Sequence, residues 1–211
     1  DLTQMARAGI WSECPLVGME RELRRLVMLM SAGSDSVVVV GEPGVGKSAI
    51  VHGLAWHLAN ATRPLVPSGM ESFTVVSISG MNMLAGTAGR GELEDRLDHM
   101  LDFFRKNPSV IPFFDEIHTL LDTDDTSARA VSTALKPPMV NGQFRCIGAT
   151  TDKEYARFIA NDEAMNSRFT RLLLPEPDQE TTARILRGVL GNLISKQARE
   201  QALEVEEAAI K

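Results

Sequence analysis

Gly41-Glu42-Pro43-Gly44-Val45-Gly46-Lys47-Ser48 follows four valines, Val37 to Val40, and opens a segment of apolar periodicity that starts at Ser48. A phosphate-binding loop has to occupy that place, between a buried strand and a helix N-terminus. Glycines let the loop's backbone N–H groups turn inward around a polyphosphate, which Cβ atoms at those places would prevent. Lys47 then reaches the β- and γ-phosphates, and the Ser48 hydroxyl takes a place on Mg²⁺. A chance match to this spacing in a chain of this length is about one in a hundred, so the run, set between strand and helix, decides the fold.

Working outward, four more short apolar runs are bounded by breakers in the manner of buried strands: Phe73–Ser79, Val110–Phe114, Phe144–Thr150 and Arg171–Leu174. Segments of helical spacing lie between them. Alternation of this kind predicts an α/β fold with a mainly parallel sheet and helices on both faces. In Ser48–Asn60 the stripe is Ile50, Val51, Leu54, Ala55 and Leu58; His52, Trp56 and His57 there read as packing or solvated surface. Glu92–Arg105 carries Leu93, Leu97, Leu101 and Phe104 on one side and a charged face on the other. The stretch Leu174-Pro175-Glu176-Pro177-Asp178 is incompatible with a helix interior and marks a boundary. Beyond it Asp178 caps a helix with Ile185, Leu186, Val189, Leu190, Leu193 and Ile194, and Gln201–Lys211 reads as a further helix.

The run Val110-Ile111-Pro112-Phe113-Phe114-Asp115-Glu116 ends an apolar strand in two carboxylates. Alternation along a strand sends their side chains in different directions, so they take different tasks. Asp115 holds the Mg²⁺ shell and Glu116 polarises a water for in-line attack on a γ-phosphate. A third strand, Cys146-Ile147-Gly148-Ala149-Thr150-Thr151, ends in hydroxyls that face the same crevice in a parallel sheet. Pro112 removes a ladder donor from an internal strand, which predicts a bulge or a missing bond just before the carboxylates.

The chain has 211 residues, 44% of them hydrophobic and 24% charged, with a net charge of −6. That acidic balance argues against a standing nucleic-acid-binding face. No apolar stretch approaches the ~18 residues of a membrane span. Cys14 and Cys146 read as reduced thiols of a cytosolic protein. The histidines and cysteines show no paired zinc spacing. Asp122-Thr123-Asp124-Asp125 opens like a calcium loop, but it lacks the glycine at the sixth place and has Thr133 where the bidentate glutamate belongs. The start at Asp1 and the stop at Lys211 inside a helix-like segment lead us to expect a piece of a longer protein.

Asp115-Glu116-Ile117-His118-Thr119-Leu120, Leu135-Lys136-Pro137, Arg145-Cys146-Ile147-Gly148-Ala149-Thr150-Thr151 and Arg168-Phe169 together resemble the first AAA+ module of the Clp-type protein unfoldases, the ClpA/ClpB/ClpV group. The opening, Asp1-Leu2-Thr3 through Ala6-Arg7-Ala8-Gly9, is similar to the segment that enters this module. Pro15-Leu16-Val17-Gly18, with Glu20 and Glu22, looks like the family's box beside the adenine. The resemblance implies an AAA+ P-loop fold with a parallel sheet of order 5-1-4-3-2 and a helical lid. It divides the chain into a linker segment at 1–14, an α/β nucleotide-binding subdomain at 15–177 and the start of the lid at 178–211. It also implies a hexameric ring that uses ATP hydrolysis to thread protein substrates through a pore, with ATP/ADP and Mg²⁺ as cofactors and neither nucleic acid nor membrane as partner. By the same resemblance Val17 and Gly18 flank the adenine, and Glu42, Pro43, Gly44, Val45, Gly46, Lys47, Ser48 and Ala49 surround the phosphates. Ser48 and Asp115 hold Mg²⁺, Glu116 is the base, Thr151 rather than Thr150 senses the γ-phosphate, and Arg168 acts across the subunit interface.

Besides Pro112, two places depart from that pattern. The family has two arginines in tandem before the phenylalanine, where this chain reads Ser167-Arg168. Loss of a transition-state arginine costs several powers of ten in phosphoryl transfer, so Arg168 serves alone or turnover is slow. In Gly86-Thr87-Ala88-Gly89-Arg90-Gly91-Glu92, Ala88 and Gly89 replace the lysine and the substrate-gripping tyrosine, and a loop without an aromatic has little area to hold a polypeptide. These departures define the competing reading, a nucleotide-dependent assembly module with weak hydrolysis and no direct substrate gripping. A third reading, an ATPase serving DNA, is disfavoured by the acidic charge.

Overall fold

The computed structural model describes residues 1–11, 14–32, 36–61, 65–79, 90–122 and 126–188. Five strands, β1 (Ser36–Val40), β2 (Thr74–Ile78), β3 (Val110–Phe114), β4 (Ile147–Thr150) and β5 (Phe169–Leu173), form one parallel sheet in the order β2-β3-β4-β1-β5. This is the order 5-1-4-3-2 read from the other edge. Central β1 pairs with β4 from Val37↔Ile147 to Val40↔Thr150 and with β5 from Ser36↔Phe169 to Val40↔Leu173. Both faces are covered, which is why β1 is a continuous valine run and not an alternating one.

Each face has its own core. Val37, Val39, Phe113 and Ala149 point to one side, where they meet α2 (Glu20–Ala32) and α3 (Lys47–Ala59) through Leu26, Met30, Ile50 and Leu54. Val38, Val40 and Phe114 point to the other, against α4 (Arg90–Lys106), α5 (His118–Leu121) and α6 (Thr126–Val140) through Leu97, Leu101, Leu120 and Leu135. Adjacent residues of one strand therefore seed opposite cores, as the period of two requires. The predicted apolar stripes of α3 and α4 are the faces that are buried.

One of two alternatives at Pro112 is excluded, and one strand start is corrected. Pro112 makes no bulge: the register to β2 is one-to-one through Val76↔Pro112, and pairing with β4 begins one residue later at Phe113↔Ile147. The strand expected from Phe144 begins at Ile147, because the Cys146 N–H is taken by the Ser36 hydroxyl at 3.0 Å and Arg145 turns its guanidinium onto the Phe73 ring, 4.6 Å from the centroid. The segment 1–14 holds α1 (Leu2–Arg7), part of the compact unit Asp1–Glu176. Thr3 is fully buried, and its Oγ1 accepts the Val75 N–H of edge strand β2 at 2.9 Å. Thr3→Val leaves that buried donor without a partner, a loss of about 1–3 kcal/mol that urea unfolding should register as a lower midpoint with an unchanged slope.

The chain divides into two compact units, Asp1–Glu176 and Pro177–Lys211. In the second, Asp178 Oδ1 accepts the Thr181 N–H at 2.7 Å and caps a helix over 179–188. The lid residues Val189 to Ile194, the helix expected at Gln201–Lys211, the loop positions Ala88 and Gly89 and the Thr123–Asp125 stretch lie outside the described residues. Among the described residues, no helix is long and apolar enough to cross a membrane.

Candidate active site

β1 delivers the glycine loop to the C-terminal edge of the sheet. Gly46 has φ +101°, a left-handed conformation that disfavours side chains, and a Cβ there would stand 3.2 Å from the Met19 Cε. The loop ends as the N-terminus of α3, whose first turn carries no acidic residue to offset its partial positive charge. The Lys47 ammonium folds back over the loop and donates to the Gly41 and Glu42 carbonyl oxygens at 2.8 and 2.9 Å.

The second component arrives from β3. Ser48 Oγ donates to Asp115 Oδ2 at 2.7 Å, joining residues 67 positions apart. Strand alternation does not govern the two carboxylates, since β3 ends at Phe114 and both lie beyond it. Glu116 has φ +52°, a left-handed conformation that costs a non-glycine residue about 1–3 kcal/mol and persists only where its surroundings enforce it. Here the Ile117 N–H donates to the Ala149 carbonyl at 3.0 Å, and the fully buried Ile117 side chain lies on Gly148, where any Cβ would come within 2.8 Å of its Cδ1. The Thr119 hydroxyl donates to the Glu116 carbonyl at 2.9 Å. The acidic turn is thus stapled to β4 by its neighbours.

The third component is the end of β4. Thr150 is buried, and Thr151 caps the short helix α7 (Asp152–Tyr155) in a capping box with Glu154. Glu154 Oε2 accepts from the Thr150 hydroxyl at 3.0 Å, the Thr151 N–H at 3.0 Å and the Thr151 hydroxyl at 2.7 Å. Partial burial opposes its ionisation, but the hydrogen bonds from Thr151 and Thr150 and the nearby His118 outweigh that, so the carboxyl is held below its ordinary range. His52 of α3 is shifted down by burial, against a smaller upward pull from Asp115.

Loop residues Gly46, Lys47 and Ser48, the carboxylates Asp115 and Glu116, and Thr150 and Thr151 line one cleft of about 650 Å³, together with Pro43, Gly44 and Ala49. Glu42 is exposed and Val45 is buried in the core, so both shape the loop from outside the cleft. Val17 and Gly18 belong to the segment whose Met19 touches the loop at Gly46 and whose Leu16 packs on α3 at Gly53. The cleft has five further lining residues not singled out as site residues from the sequence, Ser77, Ile78 and Ser79 at the end of β2, His118 and Glu154. For Glu154 a signal was present, the Thr-x-x-Glu spacing of a capping box. A wider hollow of about 850 Å³ between Lys136, Phe158, Asp162 and Ser167 holds none of the loop or the carboxylates and is not the candidate site.

Arg168 lies elsewhere. Its carbonyl accepts the Ser36 N–H at 3.1 Å, at the N-terminal edge of the sheet. The length of β1, about 16 Å for five residues, separates it from the loop that follows Val40.

The oxygens brought together at Ser48 and Asp115 are hard ligands of the kind Mg²⁺ takes alongside substrate phosphates, so these residues fit that cation. The model of the ATPase family associated with various cellular activities (AAA) matches residues 37–176, a span that runs from β1 past β5 and holds every cleft component described. The chain belongs to this family. This AAA chain is also 39% identical over 191 residues to the chaperone protein ClpB 2 of Parasynechococcus marenigrum, covering 90% of the chain and 21% of the relative. To the ClpB of Aquifex aeolicus it is 37% identical over 214 residues, covering 100% of the chain and 21% of the relative. Among solved structures it resembles the S. cerevisiae Hsp104–ADP complex, with a TM-score of 0.75 and 31% identity over 90% of this chain and 32% of that one. The S. cerevisiae Hsp104:casein complex is similar at a TM-score of 0.74. The chain spans about a fifth of the length of the ClpB relatives it matches.

Proposed function

We propose that this chain binds ATP with Mg²⁺ in the 650 Å³ cleft and hydrolyses it as the nucleotide-binding module of a ring-forming, ClpB-like protein-remodelling machine. The observation that carries the reading is the 2.7 Å bond from Ser48 Oγ to Asp115 Oδ2, which joins the phosphate loop to the acidic turn at the place a Mg²⁺ shell needs both. Held by Ser48 and Asp115, Mg²⁺ would supply positive charge against the charge developing on the phosphates. The loop's N–H groups and Lys47 hold the phosphates, Val17 and Gly18 flank the base, and Glu116 takes the proton of the attacking water. Arg168 completes a neighbouring protomer's site, because its own cleft lies at the other end of the sheet. Protein substrates are supported by the ClpB names of the relatives and by the casein-bound Hsp104 structure.

Calorimetric titration with Mg–ATP tests this directly. Lys47→Ala removes a hydrogen-bond donor that carries charge, worth about 1.5–3 kcal/mol, so its Kd should rise by roughly 10- to 150-fold. An unchanged Kd would mean that the loop does not hold the phosphates.

A further inference from the structure

The hydrogen bonds at the end of β4 set a polarity that the family's outline leaves open. Each threonine hydroxyl has one proton to donate, and an ionised carboxylate only accepts. Glu154 is held in the ionised range, and its Oε2 lies 3.0 Å from the Thr150 hydroxyl and 2.7 Å from the Thr151 hydroxyl. His118 Nδ1, 3.1 Å from both Thr150 Oγ1 and Glu154 Oε2, offers the Thr150 proton its other acceptor when that nitrogen carries no hydrogen. Either way both hydroxyl protons are committed inside the cluster, although both threonines line the cleft. What remains for the cleft is oxygen lone pairs. A terminal phosphate oxygen is itself an acceptor and gains nothing from them, whereas a water molecule donates to them.

We propose that Glu154 is a positioning residue that turns the Thr150 and Thr151 hydroxyls into acceptors for the attacking water and prevents them from donating to the terminal phosphate. The inference rests on the reading of this cleft as the nucleotide site. Glu154 acts through the threonines, from whose hydroxyls it accepts. It also restrains affinity for the triphosphate, since a hydroxyl released from it gains a phosphate acceptor.

Glu154→Ala tests this without dismantling the turn, because the Thr151 hydroxyl still accepts the backbone N–H of position 154. Without the carboxylate the Thr151 hydroxyl loses the acceptor that takes its proton, which is then free for the cleft. Dissociation constants for Mg–ADP and for a non-hydrolysable Mg–ATP analogue are measured on the full chain and on the variant. ADP affinity should stay within about twofold, and preference for the triphosphate should rise about three- to tenfold, the worth of one neutral hydrogen bond. Adding Thr150→Val and Thr151→Val to the alanine variant should abolish the gain. Glu154→Asp, one methylene shorter, withdraws the same acceptor and should shift the preference in the same direction, so it serves if the alanine variant does not fold. An unchanged preference in a variant that still binds ADP overturns the inference, and so does an equal loss of both affinities, which would make Glu154 a helix cap and nothing more. Failure of the unaltered chain to bind ADP would instead overturn the nucleotide-site reading on which the inference stands.

Discussion

Glu116→Gln should bind Mg–ATP with the affinity of the parent and turn it over at least about 100 times more slowly, the lower range of what a general base contributes. The substitution is nearly isosteric and leaves intact the features that hold this residue. Its left-handed backbone is maintained by the Ile117 N–H on Ala149, by Ile117 seated on Gly148 and by the Thr119 hydroxyl on its carbonyl, and none of these involves the carboxylate. Asp115 keeps its contact with Ser48, so the Mg²⁺ position is unaltered. Loss of activity without loss of binding is therefore the signature of a missing base. Phosphate release under saturating ATP, measured beside calorimetric binding, separates the two. Equal turnover by variant and parent would assign the proton transfer elsewhere, while weakened binding would mean that the carboxylate belongs to the metal shell.

The sheet and the two halves of the cleft were legible because their signals are local. Val37 to Val40 and the glycine loop form one continuous phrase, and Val110 to Glu116 form another, each announcing a strand that ends in chemistry. Asp115 and Glu116 were expected to part by strand alternation, but both lie past the end of β3. Periodicity says nothing of the residue after a strand, and the left-handed turn at Glu116 depends on Gly148, a long-range partner on another strand. The role of α1 was hidden for a related reason. Six residues are too few to display an amphipathic stripe, and Thr3 earns its burial only through the Val75 amide 72 positions away. Cys146 shows the same limit from the other side, since an apolar run reads as strand until the Ser36 hydroxyl takes its N–H. Burial pushes the Cys146 thiol up to about 12, so it is a packing group with no thiolate chemistry at neutral pH.

Arg168→Ala should leave nucleotide binding by an isolated chain unchanged and reduce hydrolysis by assembled chains by roughly 10³- to 10⁵-fold, the range of an arginine supplied to a neighbour's transition state. The chain's own geometry requires that separation of effects. Arg168 stands at the N-terminal edge of the sheet, bonded through its carbonyl to Ser36, whereas the loop follows Val40 at the opposite edge. Its side chain is exposed, and the turn that presents it is fixed on both sides by the buried Met165 and Phe169 and by Asp162, which caps the helix α8 (Glu163–Asn166) and pairs with Lys136. Truncation to alanine thus removes a projecting cation and little of the core. Hydrolysis per protomer is then followed across a wide range of protein concentration. For the parent the specific rate should climb as protomers meet and Arg168 reaches a neighbouring cleft, while for Arg168→Ala it should stay flat. A variant whose rate climbs with the parent's would show that the arginine is dispensable between subunits. A loss of binding at low concentration would place its action within a single chain, against the span of β1. The single arginine at Ser167-Arg168 sharpens the test, because no adjacent guanidinium is present to cover for it.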